Sequence, residues 1–209
     1  KNGALESLLA TGFAKQKPRF RSMAWEADTV YEQWRDLNFG SWSSQLEATG
    51  ATVVISQFGQ MEAFDGPDRL PEFSSAYHRL LDQFITRTPR IVLISPMPFE
   101  KPTAPDAPDL TERNDAVAAY AKAVADVARH RNAIYIDLFT PLSERDAKAP
   151  RLTRNGIHLT DEGLQLVAGI IANELGAQAT STDLASIRDA IVEKNRLWFD
   201  CWRPANWSF

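Results

Sequence analysis

The sequence predicts an α/β fold built on a parallel sheet, and three observations carry that prediction. Three short runs are almost continuously apolar and rich in β-branched residues: Ala51 to Ser56, Arg90 to Ser95 and Ala133 to Phe139. Runs of this kind suit strands covered on both faces. Segments of helical periodicity separate and follow them, and strand alternating with helix is the pattern of a parallel sheet. A stretch with prolines at 96, 98, 102, 105 and 108 leaves the end of the second run. It can be neither helix nor central strand, so it reads as a long loop over the sheet edge, where ligand sites of such sheets lie.

In chain order, Asn2 to Thr11 reads as a helix, and Arg19 to Trp25 (RFRSMAW) as a fourth, weaker strand. Leu70 to Thr86 has Pro71 in its first turn, and Phe73, Tyr77, Leu80, Leu81 and Phe84 recur at three- and four-residue steps. Leu110 to Arg131 is alanine-rich, with Val117, Tyr120, Val124 and Val127 on its apolar face. Asn114, three residues after Thr111, gives only a partial capping signal. Glu162 to Leu175 follows Thr160 as N-cap and stops at Gly176. Thr182 to Trp202 is a last long helix, ended by Pro204.

Composition excludes several classes. The chain has 209 residues, 44% apolar and 24% charged, which is enough for a sizeable core and too apolar for disorder. No apolar stretch approaches the ~18 residues that a membrane span needs. One cysteine, Cys201, leaves no internal disulfide and no cysteine zinc site. A net charge of −4 argues against a broadly basic nucleic-acid face. The three histidines lack ligand spacing, and no Gly-x-Gly-x-x-Gly follows a strand, so neither metal nor cofactor is expected.

Three segments could carry chemistry. In Arg154-Asn155-Gly156-Ile157-His158-Leu159-Thr160, a tight turn can bring the Asn155 side-chain oxygen to one nitrogen of His158. The other nitrogen would then serve as general base. A loop histidine without a role fits the same residues. In Gln57 to Gly66 (QFGQMEAFDG), the N–H of Gly59 and the neighbouring Gln60 could donate to an oxyanion, and Glu62 adds to the polar cluster. The third segment, FRSMAWEADTV, runs into a loop with Trp25, Glu26 and Asp28. His78, beside Arg79, reads as a packing residue, and His130 as a favourable contact at a helix C-terminus.

In this order the three segments resemble the SGNH (GDSL-like) hydrolases over nearly the whole chain. FRSMAWEADTV is similar to the second family block, QFGQMEAFDG to the third and NGIHLTDEG to the fifth. With RDLNFGSW, SPMPFE and EKNRLWFDCWRPANWSF, they resemble a subgroup of bacterial multi-module proteins that carry cytochrome-c-like modules. The resemblance implies a three-layer α/β/α flavodoxin-like fold and ester hydrolysis, with a serine nucleophile, a histidine base and an aspartate that orients it. It implies His158 as the base and Asn155 in the aspartate position. Ala27, or one step earlier Ala24, stands where the second block has glycine, and Met61 where the third has asparagine, leaving Gln60 as the nearest donor. Trp25, Gln57, Gln60, Glu62 and His158 would line the crevice.

The resemblance also places the nucleophile at the end of a first strand ahead of the opening helix. The expectation is therefore a domain over 1–180 that lacks its first strand and its serine, followed by a helix and aromatic tail over 181–209. Ser41, Ser43, Ser56 and Ser95 stand elsewhere, and Ser95, at a strand end, is the best substitute among them. The substrate expected is an acylated carbohydrate or another small ester, in a periplasmic or secreted setting. Trp198, Trp202, Trp207, Phe199 and Phe209 either pack back on the domain or dock a neighbouring module. The alternative is a non-catalytic carbohydrate- or ligand-binding module on the same fold.

Overall fold

A computed structural model describes residues 2–33, 40–146, 148–177 and 184–202. The chain divides into two compact units: Lys1–Met23, Arg151–Arg154 and His158–Phe209 in one, Ala24–Pro150 and Asn155–Ile157 in the other.

The second unit holds the sheet. Strands β1 (Val54–Gln57), β2 (Ile91–Ile94) and β3 (Ile134–Ile136) run parallel in the order β1-β2-β3. The register sets Ser56, Leu93 and Tyr135 in one row and Ile55, Val92 and Ile134 in the next, so the rows point to opposite faces. The first row faces two long helices, α3 (Leu70–Ile85) and α4 (Asn114–Arg131). The Ser56 hydroxyl shares a 2.9 Å hydrogen bond with the Tyr77 phenol of α3, and the Tyr135 phenol donates to the Ala121 carbonyl of α4 at 3.3 Å. The apolar faces read from the periodicity make the core: Phe73, Tyr77, Leu80, Leu81 and Phe84 of α3, and Val117, Tyr120, Val124 and Val127 of α4, are all buried. The rings of Phe73 and Tyr120 meet edge-on at 4.8 Å, a favourable aromatic geometry.

Cover on both faces holds only at the centre. All four residues of β2 are buried, whereas Ile55 is 38% and Ile134 54% exposed. Among the described residues β1 and β3 are the edges of the sheet, and an edge strand has neighbours on one side alone. The strands are also shorter than their apolar runs. After β3, Asp137 turns from the ladder to accept the Thr140 N–H at 3.1 Å and starts α5 (Phe139–Ser143), a helix the sequence reading missed. Also missed is α2 (Trp42–Ala48), capped where the Ser41 hydroxyl accepts the Ser44 N–H and seated by Trp42 against Phe84.

The first unit is helical. Here α1 (Ala4–Gly12) packs on α6 (Asp161–Glu174) and α7 (Leu184–Trp202). A Cβ at Gly12 would fall 2.7 Å from that of Ala177, so glycine lets the chain ends of α1 and α6 approach. Polar contacts fix the rest: Asn2 donates to Asp161 at 2.7 Å, Arg188 to the Asn2 carbonyl at 2.8 Å, and Glu6 binds Lys194 and Asn195 of α7. As read from the sequence, Thr160 caps α6 by accepting the Gly163 N–H at 3.0 Å, and Gly176 follows in the left-handed conformation.

The weak strand at Arg19 to Trp25 does not form. Its backbone carbonyls are taken by side chains of α7: Phe20 accepts from Lys194 at 3.4 Å and Ser22 from the Trp198 indole at 2.9 Å, while Arg21 lies 4.9 Å from the Trp198 ring centre. Trp198 thus packs back on the unit's own N-terminal segment. Thr182, Pro204, Trp207 and Phe209 lie outside the described residues, as do residues 35–39 of the RDLNFGSW motif.

Candidate active site

Because the strands are parallel, their carboxyl ends open on the same side, and three loops leave there. The end of β1 and the loop after it contain all the polar residues singled out between 57 and 62. Each has a partner inside its own unit. The Gln57 amide donates to the Ser95 carbonyl at 3.0 Å, and the Gln60 amide to the Met97 carbonyl at 3.0 Å, so both stitch this loop to the chain leaving β2. Glu62 is not displayed to solvent: it is 2% exposed, and its carboxylate accepts the N–H of Gly59 and the N–H of Val30, each at 2.8 Å. Burial pushes the Glu62 carboxyl above the usual carboxylate range, against the opposing pull of the N–H groups it accepts. The Gly59 N–H therefore points at Glu62 rather than outward. Met61, in the family's asparagine position, is 56% exposed and has no amide to offer.

The loop ahead of Val30 is a tight turn. The Asp28 carboxylate accepts the Trp25 N–H at 2.9 Å, and the Asp28 N–H returns to the Trp25 carbonyl at 3.3 Å. Ala27 inside it is exposed and has φ 65. A left-handed residue with a Cβ is costly unless the turn demands it. That conformation suits the glycine that the resemblance implies here. Trp25 is half-buried.

The proline-rich loop after β2 is irregular from 95 to 110, as read. Asn114, seen in the sequence only as a poor capping residue, holds it with two bonds to one backbone position: its oxygen accepts the Phe99 N–H at 2.8 Å and its amide donates to the Phe99 carbonyl at 2.9 Å. Its near neighbour Glu100 donates its N–H to the Gly156 carbonyl at 3.0 Å. Gly156 has φ 88, and a Cβ there would lie 2.4 Å from the Glu100 carbonyl oxygen, so only glycine fits. The Asn155 side-chain oxygen accepts the Ile157 N–H at 3.3 Å, closing an Asx turn.

His158 belongs to the other unit. Its loop is tied at the base by an antiparallel bridge between Thr153 and Leu159, by the Arg154 N–H on the His158 carbonyl at 2.8 Å, and by the Thr160 N–H on the Leu152 carbonyl at 2.7 Å. The backbone around His158 is therefore fixed while its side chain is exposed.

The substitute serines are all engaged. Ser95 is fully buried, and its hydroxyl oxygen accepts the N–H groups of Leu138 and Phe139 at 2.8 and 3.0 Å. Ser56 is bonded to Tyr77, Ser41 caps α2, and Ser43 accepts from Thr86 at 3.1 Å. His130 reaches the Asp126 carbonyl at 2.7 Å in the last turn of α4, and His78 is held by Arg131.

Among solved structures, the chain is similar to an acetylxylan esterase from Geobacillus stearothermophilus, at 15% identity and TM-score 0.63 over 85% of this chain and 81% of that one. It is also similar to the acetyl xylan esterase AlAXEase, at 14% identity and TM-score 0.59 over 83% and 91%. A third is LAE5, an α/β hydrolase from the metagenome of Lake Arreo, Spain, at 16% identity and TM-score 0.61 over 84% and 81%. These likenesses show a shared fold. Nothing matches among curated protein sequences. The GDSL-like lipase/acylhydrolase family matches residues 2–166. The chain belongs to that family, a hydrolase class on an α/β fold with a parallel sheet.

Proposed function

We propose that the protein is an ester hydrolase acting on an acylated carbohydrate, with His158 as general base and Asn155 as the residue that orients it. The exposed imidazole of His158, on a loop locked at its base, is the observation that carries this reading. Family membership and the acetylxylan esterases among the structural relatives support the substrate class. Oxyanion donors would be the Ala27 N–H, on its left-handed turn, and the Gln60 amide, with Trp25 beside the acyl group. Ser41, Ser43, Ser56 and Ser95, whose hydroxyls are bonded within the protein, are not proposed as the nucleophile. A periplasmic or secreted setting, and membership of the subgroup with cytochrome-c-like modules, rest on the resemblance alone. No helix among the described residues is long and apolar enough to cross a membrane.

The test is hydrolysis of acetylated xylooligosaccharides and of p-nitrophenyl acetate by the complete natural chain and by His158→Ala. The variant is expected to lose about 10³-fold in kcat, the scale of a removed general base. Equal rates, or no hydrolysis by either across acetyl, longer acyl and sugar esters, would sink the enzyme reading. One observation favours a second reading, a carbohydrate-binding module: Met61, 56% exposed and without a donor, stands where the family has the asparagine of its oxyanion hole. Binding of unacetylated xylotetraose without any turnover is the outcome expected from that module.

A further inference from the structure

Among the described residues Glu62 is the most deeply buried acidic residue of the unit that holds the sheet, and a buried carboxylate is costly unless every lone pair it presents is answered. Its two oxygens are answered from two different loops. Oε1 accepts the Val30 N–H, which closes the turn carrying Trp25, Ala27 and Asp28; Oε2 accepts the Gly59 N–H, which opens the turn carrying Gln60 and Met61. Only an acceptor at both atoms satisfies two N–H donors at once. Glutamine would turn an NH₂ group toward one of them, and aspartate is a methylene too short to span both.

We propose that Glu62 is the positioning residue of the site, a clasp that holds the Ala27 turn in register with the Gln60 turn without touching substrate. The inference rests on the esterase reading, because those two turns supply its proposed oxyanion donors. Donors of this kind work only when held to within about 0.5 Å of the productive geometry. A clasp that loosens should therefore lower the rate of the chemical step and leave ground-state binding nearly untouched.

The experiment compares Glu62→Gln with Tyr77→Phe in the complete natural chain. The second variant removes another buried hydrogen bond of the same unit, that between Ser56 and Tyr77 at 2.9 Å, and so controls for lost stability. With p-nitrophenyl acetate, Glu62→Gln is expected to lower kcat by about 10- to 100-fold with KM within about twofold, while Tyr77→Phe keeps its kcat. Backbone amide exchange is read in parallel: the Val30 and Gly59 N–H groups should exchange at least about tenfold faster in Glu62→Gln than in the parent, and at the parent rate in Tyr77→Phe. A kcat held within twofold in Glu62→Gln, or lost equally in Tyr77→Phe, overturns the inference. If the parent chain hydrolyses no ester, the esterase reading fails by itself. Amide exchange then decides: faster exchange at both positions upholds the clasp, and unchanged exchange overturns it.

Discussion

Single residues set the local shape of the candidate site, and Ala27 shows how. Its φ of 65 places a Cβ in the region that disfavours L-residues by roughly 1 kcal/mol or more. Replacing it with glycine removes that strain and keeps the N–H. Ala27→Gly is expected to stabilise the protein by about 1 kcal/mol, a rise of roughly 2–4 °C in a thermal melt for a chain of this size. A lower melting temperature would show that the turn does not strain its alanine. Ala27, Gln60 and His158 were legible as candidates because their neighbours form ordered motifs. The work of Glu62 was not legible. The sequence showed it only as part of a polar cluster after a strand, and its 2% exposure and its contact with Val30, 32 residues away, are what show that it faces inward.

At the scale of elements, the long helices were the clearest part of the sequence. The apolar residues of α3 and α4 recur at helical spacing because one face of each is buried against the sheet, and burial is what periodicity records. Loops keep no such record. Asn114 has no periodic signature for its task, yet it makes two hydrogen bonds to Phe99 and so fixes the start of the proline-rich loop. Asn114→Ala is expected to cost about 2 kcal/mol, as both backbone groups of Phe99 lose their partner. Denaturant unfolding measures that cost, and exchange at the Phe99 N–H should speed up with it. A loss under about 0.5 kcal/mol would mean that the loop is held elsewhere. The failed strand at Arg19 to Trp25 teaches the same lesson from the other side. Its residues favour a strand, but a strand needs a ladder, and the carbonyls of Phe20 and Ser22 are bonded by Lys194 and Trp198 instead.

For the molecule as a whole, stability should depend on pH through His78. Arg131 donates from Nε to the Nδ1 of His78 at 2.8 Å and from a terminal nitrogen to the His78 carbonyl at 2.9 Å, and pairs with Asp82 at 2.7 Å. Burial lowers the His78 pKa, Arg131 and His130 nearby lower it further, and Asp82 opposes them. A histidine with a depressed folded-state pKa contributes stability above its ordinary value of about 6.5 and loses it as pH falls through the folded value. Unfolding free energy should therefore decline below about pH 6.5, and His78→Gln, which keeps an acceptor but cannot titrate, should flatten that decline. An unchanged pH profile in the variant would remove His78 as the cause. By itself the sequence determined the α/β class, the three parallel strands, the long helices, the loop at the carboxyl end of β2 and the family, because short-range patterns of burial and turn chemistry are written in neighbouring residues. The tertiary structure alone decided which polar side chains are spent inside. Gln57, Gln60, Glu62, Ser95 and Asn114 are bonded to backbone groups brought near by folding, and a hydrogen bond between residues far apart in the chain leaves no periodic trace.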